Sequence, residues 1–318
     1  MNTNSRKGWE LFSGLSRNFY HASRMFLPGD IKDENMIFYL MFKIADTIED
    51  SRMSIDNKKK CFDRFRHFLP YKKNDMLTSE FVKEFKDVPL AVNERNLIDS
   101  TGIVLDLFYK ISYITRLPLS ENITRMTYGM EEYLEKRIRN FSDQDDYCHY
   151  VAGLVGRSLT DLYFISSHID KKQYKSMVSL ADGFGLLLQK VNIIRGIKED
   201  YIKSNENEAN RIYIPEELLN ENGLSLDRLF VPQFREEALS VLETLVKDAE
   251  KHAEKSFEYI AHIPKREIGI RMFSNVMLLT SLALLNKCRD NYEIFERDEE
   301  INLSKHERLI VLMKSLYN

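Results

Sequence analysis

Long stretches of this chain place apolar side chains at helical spacing, and few residues interrupt them. In Met36–Ser51, Ile37, Leu40, Met41, Ile44 and Ile48 recur at the interval of one helix face. Similar patterns run over 102–114, 123–140, 145–167, 175–201, 236–263, 268–290 and 304–316. A helix with an apolar face must bury it against another element. Only 12 glycines and 7 prolines punctuate the 318 residues, so long helices are favoured. The spacing predicts an all-α fold in which 175–201 is the longest helix and the helix over 102–114 stops near Pro118. Loops are expected at Pro28-Gly29-Asp30, at Pro70–Asp75 and over 203–211, the polar run KSNENEANR. None separates regions of different composition. One helical domain over 1–318 follows as the expectation, with 1–12 as a flexible N-terminal segment.

Several classes of function are disfavoured. The formal net charge of -3 supplies no general field for nucleic acid, and no basic arm or stacking platform is visible, so no nucleic-acid partner is expected. Cys61, Cys148 and Cys288 are far apart and form no CxxC pair. That argues against a disulfide framework or a zinc site and for a reducing compartment. Met1–Gly8 lacks the apolar core of a signal peptide. Met277–Leu285, interrupted by Thr280 and Ser281, is short of the ~20 apolar residues that span a bilayer. The expectation is a cytoplasmic protein without a transmembrane segment, with peripheral contact at a membrane surface allowed.

Two acidic clusters carry the chemistry. In FYLMFKIADTIED, Asp46, Glu49 and Asp50 sit at i, i+3 and i+4, which puts three carboxylates on one helix face. Like charges so placed cost helix stability, and a divalent cation would relieve them. Mg²⁺ takes carboxylate oxygens and commonly shares them with substrate phosphates. A solvated acidic face is the competing reading. In GLLLQKVNIIRGIKED, Gln189, Asn192, Glu199 and Asp200 fall within about a quarter turn of a continuous helix, with Leu186–Leu188, Ile193 and Ile194 as apolar surround. A polar seam between packed helices is the alternative there. If the two helices face each other, they frame a cavity in which metal ions bridge a diphosphate. Apolar walls would keep water from an allylic cation. Arg17, Lys43, Arg195 and Arg211 are the basic groups placed to meet the phosphates, Arg195 foremost. Each taken singly also fits an ordinary surface residue.

At these residues the chain resembles the squalene/phytoene synthase family, and within it the squalene synthase branch. Ser16-Arg17-Asn18-Phe19 is similar to the family's N-terminal Ser-Arg-Ser-Phe segment, and Phe38–Asp50 to its first aspartate-rich helix. YCHYVAGLVG, residues 147–156, is close to the squalene synthase signature. Gly185–Arg195 with Glu199 and Asp200 resembles the second aspartate-rich helix, and Arg211–Pro215 the segment that follows it. A ten-residue match is specific, whereas DxxED alone is weak. The resemblance covers about Ser16 to Leu285.

The resemblance implies an isoprenoid synthase-type helical bundle around a central cavity, as monomer or dimer. It implies Mg²⁺-dependent head-to-head condensation of two prenyl diphosphates, usually farnesyl diphosphate. Squalene synthases then reduce the intermediate with NADPH; dehydrosqualene and phytoene synthases do not. By the same resemblance Asp46, Glu49 and Asp50 would hold Mg²⁺ through the first motif, and Asn192, Glu199 and Asp200 through the second. Tyr147 matches the catalytic tyrosine, able to relay a proton or face a carbocation with its ring; from the residues alone it reads as a hydrogen-bonded core tyrosine. Arg17, Tyr39, Lys43, Gln189, Arg195 and Arg211 would contact the diphosphate. His149 and Cys148 are expected to be structural. Three departures stand out. Gly196 replaces the aspartate that opens the second motif, Lys43 replaces an arginine, and Ile268–Phe273 lacks the aromatic-cysteine stretch of squalene synthases. The missing carboxylate leaves room for a product formed without reduction, or for a non-catalytic relative that binds lipid or a partner.

Overall fold

A computed structural model describes residues 3–70, 74–205 and 212–317. Among them there are helices and no strands. In chain order they are α1 Thr3–Leu15, α2 Arg17–Phe26, α3 Gly29–Asp50, α4 Ile55–Phe68, α5 Asp75–Lys83, α6 Val92–Asp99, α7 Thr101–Phe108, α8 Tyr113–Tyr133 and α9 Phe141–Cys148. A π-helical turn, His149–Gly153, leads into α10 Leu154–Ser166. Then come α11 Lys171–Arg195, α12 Ile197–Asn205, α13 Glu216–Glu221, α14 Arg235–Glu250, α15 Ala253–His262, α16 Ile268–Cys288, α17 Glu293–Glu296 and α18 Lys305–Tyr317.

Local chemistry sets several of the starts. Ser54, Asn74, Ser112 and Asn140 accept backbone N–H bonds at the starts of α4, α5, α8 and α9. Asp170 and Gln173 form a reciprocal capping box that opens α11. Gly29 stands at φ +40 after Pro28, a backbone that suits glycine. It and Asp30 form the first turn of α3 instead of a longer loop.

Four sequence expectations need correction. Residues 3–12 are not a flexible segment: they lie in α1, held by the burial of Trp9, Leu11 and Phe12 and by the Trp9 indole N–H donating to Asp33 at 2.8 Å. Pro118 does not stop a helix but lies inside α8. Its fixed φ is compatible with helix, and the cost is one backbone hydrogen bond in the second turn. The periodic runs 145–167 and 236–263 are each broken, the first by the π turn and the second between α14 and α15. Finally, the apolar stretch 277–285 belongs to a helix of 21 residues, because Ile268–Val276 extends it. By length and composition alone both α16 and α11 could cross a membrane. Here both pack within the bundle, α11 against α10, α14, α15 and α16, and α16 also against α2 and α18.

The apolar core is continuous from Trp9 on α1 to Val311 on α18. α11 runs through it. Its approach to the π turn and α10 depends on two glycines. A Cβ on Gly185 would lie 2.5 Å from the Ala152 carbonyl oxygen, and one on Gly156 would lie 2.8 Å from that of Ala181. The glycines of the 147–156 signature and of α11 therefore set how closely these helices pack. Gly185→Ala is expected to lower stability by about 1–3 kcal/mol through overpacking, read from the midpoint of urea unfolding.

Candidate active site

α3 presents Asn35, Phe38, Tyr39, Phe42, Lys43 and Asp46 to one cavity of about 350 Å³, a set at helical spacing along one face. α11 supplies Phe184, Leu188, Gln189 and Asn192 opposite, and the π turn with α10 supplies Val151, Ala152, Val155 and Leu159. α16 contributes Phe273, Ser274 and Met277. Lys43 and Asp46 from α3 and Gln189 and Asn192 from α11 are polar members of this lining. Hydrocarbon makes up most of the remaining wall. A site for a ligand with a charged head and an apolar tail has this form.

The three carboxylates of α3 have different surroundings. Asp46 and Asp50 are half-buried, whereas Glu49 is 7% exposed. Lys43 pairs with Asp46 and lies 3.7 Å from Glu94. Burial works against the Lys43 charge, but Asp46 and Asp50 outweigh it and hold the ammonium's pKa above its ordinary value. Glu49 turns inward and accepts from the Tyr147 hydroxyl at 3.4 Å. Lys58, fully buried on α4, donates to the Glu49 carbonyl at 2.7 Å and fixes that end of α3.

Tyr147 is 4% exposed, and its ring stacks on Tyr213 with centroids 4.4 Å apart. Burial, with Glu49 and Tyr213 adding, pushes its phenol well above the ordinary value. The hydroxyl therefore keeps its proton at neutral pH. Tyr39 lies against Phe12, and burial raises its pKa to about 12. His149 bonds Asp182 at 2.6 Å, and Cys148 is fully buried.

The second cluster is divided. α11 ends at Arg195, Gly196 closes it, and Glu199 and Asp200 lie on α12. The continuous helix expected over 175–201 is therefore interrupted at Gly196, with backbone bonds from the Gly196 N–H to the Asn192 carbonyl and from the Asp200 N–H to the Gly196 carbonyl on either side. Gln189 and Asn192 reach the cavity. Glu199 pairs with Lys203 at 2.5 Å, and Asp200 borders a small separate cleft with Ile193, Ile197 and Tyr213. A Cβ at 196 would stand 3.2 Å from the Asn192 carbonyl oxygen and 3.8 Å from Asp200 Oδ2 and Glu300 Cγ. Arg195 is engaged by the C-terminal segment: it pairs with Glu300 at 2.7 Å and donates to Asn302 at 3.1 Å, while the Ile301 N–H donates to its carbonyl. Arg17 is exposed at the start of α2, next to the cavity residue Ser16. Arg211 lies outside the described residues.

Tyr213 is more than part of the Arg-aromatic-Pro segment. Behind it sits a buried ionic network that sequence reading missed. The Gln144 side-chain N–H donates to the Tyr213 carbonyl at 2.8 Å, and Lys190, 1% exposed, donates to Gln144 at 2.9 Å. Lys190 also pairs with Asp248 and, at 2.5 Å, with Asp145. Among the described residues, Asp145, Asp248 and His252 are the one group with carboxylate and imidazole atoms close enough to share a metal ion. The Lys190 ammonium already pairs with both carboxylates there. A charged residue inside the apolar run 186–194 was the available signal.

The squalene/phytoene synthase family model matches residues 13–307. The chain belongs to that family. The squalene synthase of Dictyostelium discoideum is 29% identical over 293 residues, covering 90% of this chain and 65% of that protein. Squalene synthase 10 of Panax ginseng is 30% identical over 290 residues, covering 90% and 64%. The chain thus spans just under two thirds of the length of these relatives. Among solved structures, a ligand complex of TcSQS aligns with TM-score 0.85 at 24% identity, covering 98% of this chain and 86% of that one. A dehydrosqualene synthase in complex with ligand aligns at TM-score 0.65 and 19% identity, covering 99% and 95%. These structural likenesses bear on the fold, and the family's all-α architecture is the one described above.

Proposed function

We propose that this chain is a prenyltransferase of the squalene synthase type, condensing two farnesyl diphosphates head to head to presqualene diphosphate and reducing that to squalene with NADPH. The observation that carries the reading is the cavity itself, lined by Lys43, Asp46, Gln189 and Asn192 within a mostly apolar wall. The donor set suits Mg²⁺. In the cavity wall it offers oxygen from Asp46 on α3 and from Gln189 and Asn192 on α11, without a closed protein cage, which leaves coordination for water and phosphate. Asp46 and Asn192 would hold the ion from the cavity wall, with Glu49, Asp50, Glu199 and Asp200 as the further motif carboxylates. When bound, Mg²⁺ would offset the charge of the departing diphosphate.

The chain's own groups do the rest. Lys43 and Tyr39 would orient the diphosphate from α3, and Arg17 would meet it from α2. Phe38, Phe42, Val155, Leu159, Leu188 and Phe273 would exclude water from the tail and from an allylic cation. Tyr147 would hold a proton on Oη beside Glu49, and Tyr213 would keep its ring in place.

A second reading, a non-catalytic relative that binds prenyl lipid, is favoured by the break at Gly196 and by the engagement of Arg195 with Glu300. One assay separates the readings. Purified protein is incubated with farnesyl diphosphate and Mg²⁺, with and without NADPH, and products are identified by mass spectrometry. Squalene only with NADPH supports the proposal. A product indifferent to NADPH supports condensation without reduction, and binding without turnover supports the non-catalytic reading. Gly196→Asp restores a carboxylate where the backbone is not in the left-handed region. It is expected to tighten Mg²⁺-dependent binding of the diphosphate about tenfold, measured by calorimetry; unchanged affinity would mean that position 196 is not a ligand position.

A further inference from the structure

The end of the cavity far from Asp46 is not wholly apolar. Asn35 and Tyr163 both line it and are each 1% exposed. Each keeps one polar atom without a hydrogen-bond partner, Asn35 Oδ1 and Tyr163 Oη, sealed from bulk solvent. Buried polar atoms are almost always satisfied, by protein or by ordered water. Two orphans on residues of one cavity wall call for a partner.

The two lie at the same end. α3 and the segment from Tyr147 to Ser166 run antiparallel: Tyr147 meets Glu49 at one end, and Ser166 bonds Glu34 at 3.4 Å at the other. Asn35 follows Glu34, and Tyr163 lies one turn before Ser166. From Asn35 to Asp46 α3 rises roughly 16 Å. The Asn35 amide has an assigned orientation. Ser23 donates its hydroxyl to the Phe19 carbonyl, so it accepts from Asn35 Nδ2 at 2.8 Å, leaving Oδ1 as an acceptor. Burial keeps the Tyr163 phenol protonated, so it can donate.

We propose that Asn35 and Tyr163 form a polar subsite at the floor of the cavity that holds one hydroxyl-type oxygen, donating to Asn35 Oδ1 and accepting from Tyr163 Oη. The oxygen is either an ordered water or a hydroxyl at the far end of the ligand tail. In the first case a hydrocarbon tail stops at the water, and the distance from Asp46 to the floor sets tail length. In the second, the site selects a tail-oxygenated prenyl chain. The ligand half of this inference rests on the prenyl diphosphate reading; the subsite does not.

The test begins with a high-resolution crystal structure of the full chain without ligand. An oxygen within hydrogen-bonding distance of both atoms is expected. A direct bond between Tyr163 and Asn35, or no oxygen between them, would overturn the subsite. Affinities are then measured for farnesyl thiodiphosphate and for its analogue hydroxylated at the tail end, on wild type and on the Asn35→Leu/Tyr163→Phe double variant. If the ligand supplies the oxygen, the hydroxylated analogue gains about tenfold over the plain one in wild type and loses that gain in the variant. Equal ratios in both proteins, with the oxygen seen, assign it to water and support the subsite in that form. If neither analogue binds while the oxygen is present, the substrate reading falls and the subsite stands.

Discussion

Tyr147→Phe is expected to lower turnover of farnesyl diphosphate by about 10²- to 10⁴-fold, the usual span for losing a positioned proton-transfer group. KM should change little, because the groups facing the charged end of the cavity, Lys43, Asp46, Gln189 and Asn192, stay in place. The substitution keeps the ring and its stack on Tyr213 and removes only the hydroxyl that donates to Glu49. Stability should fall by about 1 kcal/mol, the net worth of one hydrogen bond. Steady-state kinetics and a urea melt on the same preparation separate the two effects. A Tyr147→Leu variant completes the comparison. If ring-face stabilisation of a cation contributes, it should be slower than Tyr147→Phe. Full activity in Tyr147→Phe would remove the proton role.

Lys190→Met is expected to destabilise the fold by about 3 kcal/mol. Breaking a buried ion pair leaves the partner's charge uncompensated, and that costs ~3–5 kcal/mol. The lower figure applies because Asp145 is partly exposed and Lys251 still reaches Asp248 at 2.9 Å. The pH dependence gives an independent sign. Burial alone would raise the Asp248 pKa, but hydrogen bonds from Lys190 and Lys251 hold it below its ordinary 3.8. Its contribution is therefore present above that value and lost as pH falls through the depressed one. The Lys190 pKa is raised, since Asp145 and Asp248 outweigh burial. Its contribution is complete below the ordinary 10.5 and is lost only as pH rises past the raised value. In the variant Asp248 keeps its burial and Lys251 but loses Lys190, so its pKa rises relative to wild type and protonation costs less. The stability gap between wild type and variant should narrow from neutral pH to about pH 4, as followed by urea unfolding at each pH.

Periodicity located most helices and missed their breaks. The run 175–201 keeps helical periodicity over its length, yet Gly196 divides it, since a glycine pays more backbone entropy than any other residue to stay helical. Glu199 and Asp200 therefore stand on a separate short helix, and of the first acidic cluster only Asp46 lines the cavity, a division that spacing did not reveal. The partners of Lys190 were illegible for another reason. A single lysine in an apolar helix usually extends its ammonium to solvent, and only tertiary packing shows that Asp145 and Asp248, 45 and 58 residues away, meet it inside. Tyr213 and Tyr147 likewise come together through a contact that no local pattern encodes. Arg195 was legible as a basic group beside a site, while its partners Glu300 and Asn302 come from the far C-terminal segment.

α3 alone carries the lining from Asn35 to Asp46 as well as the inward Glu49. A one-residue insertion or deletion between Asn35 and Asp46 would rotate everything beyond it by about 100° and carry Asp46 and Glu49 away from the cavity and Tyr147 together. Substitutions along this face can be absorbed one at a time; a change of length cannot. Descendants of this gene should therefore vary in length in the connections between helices, while the count of residues from Asn35 to Asp50 stays constant as long as the cavity is under selection.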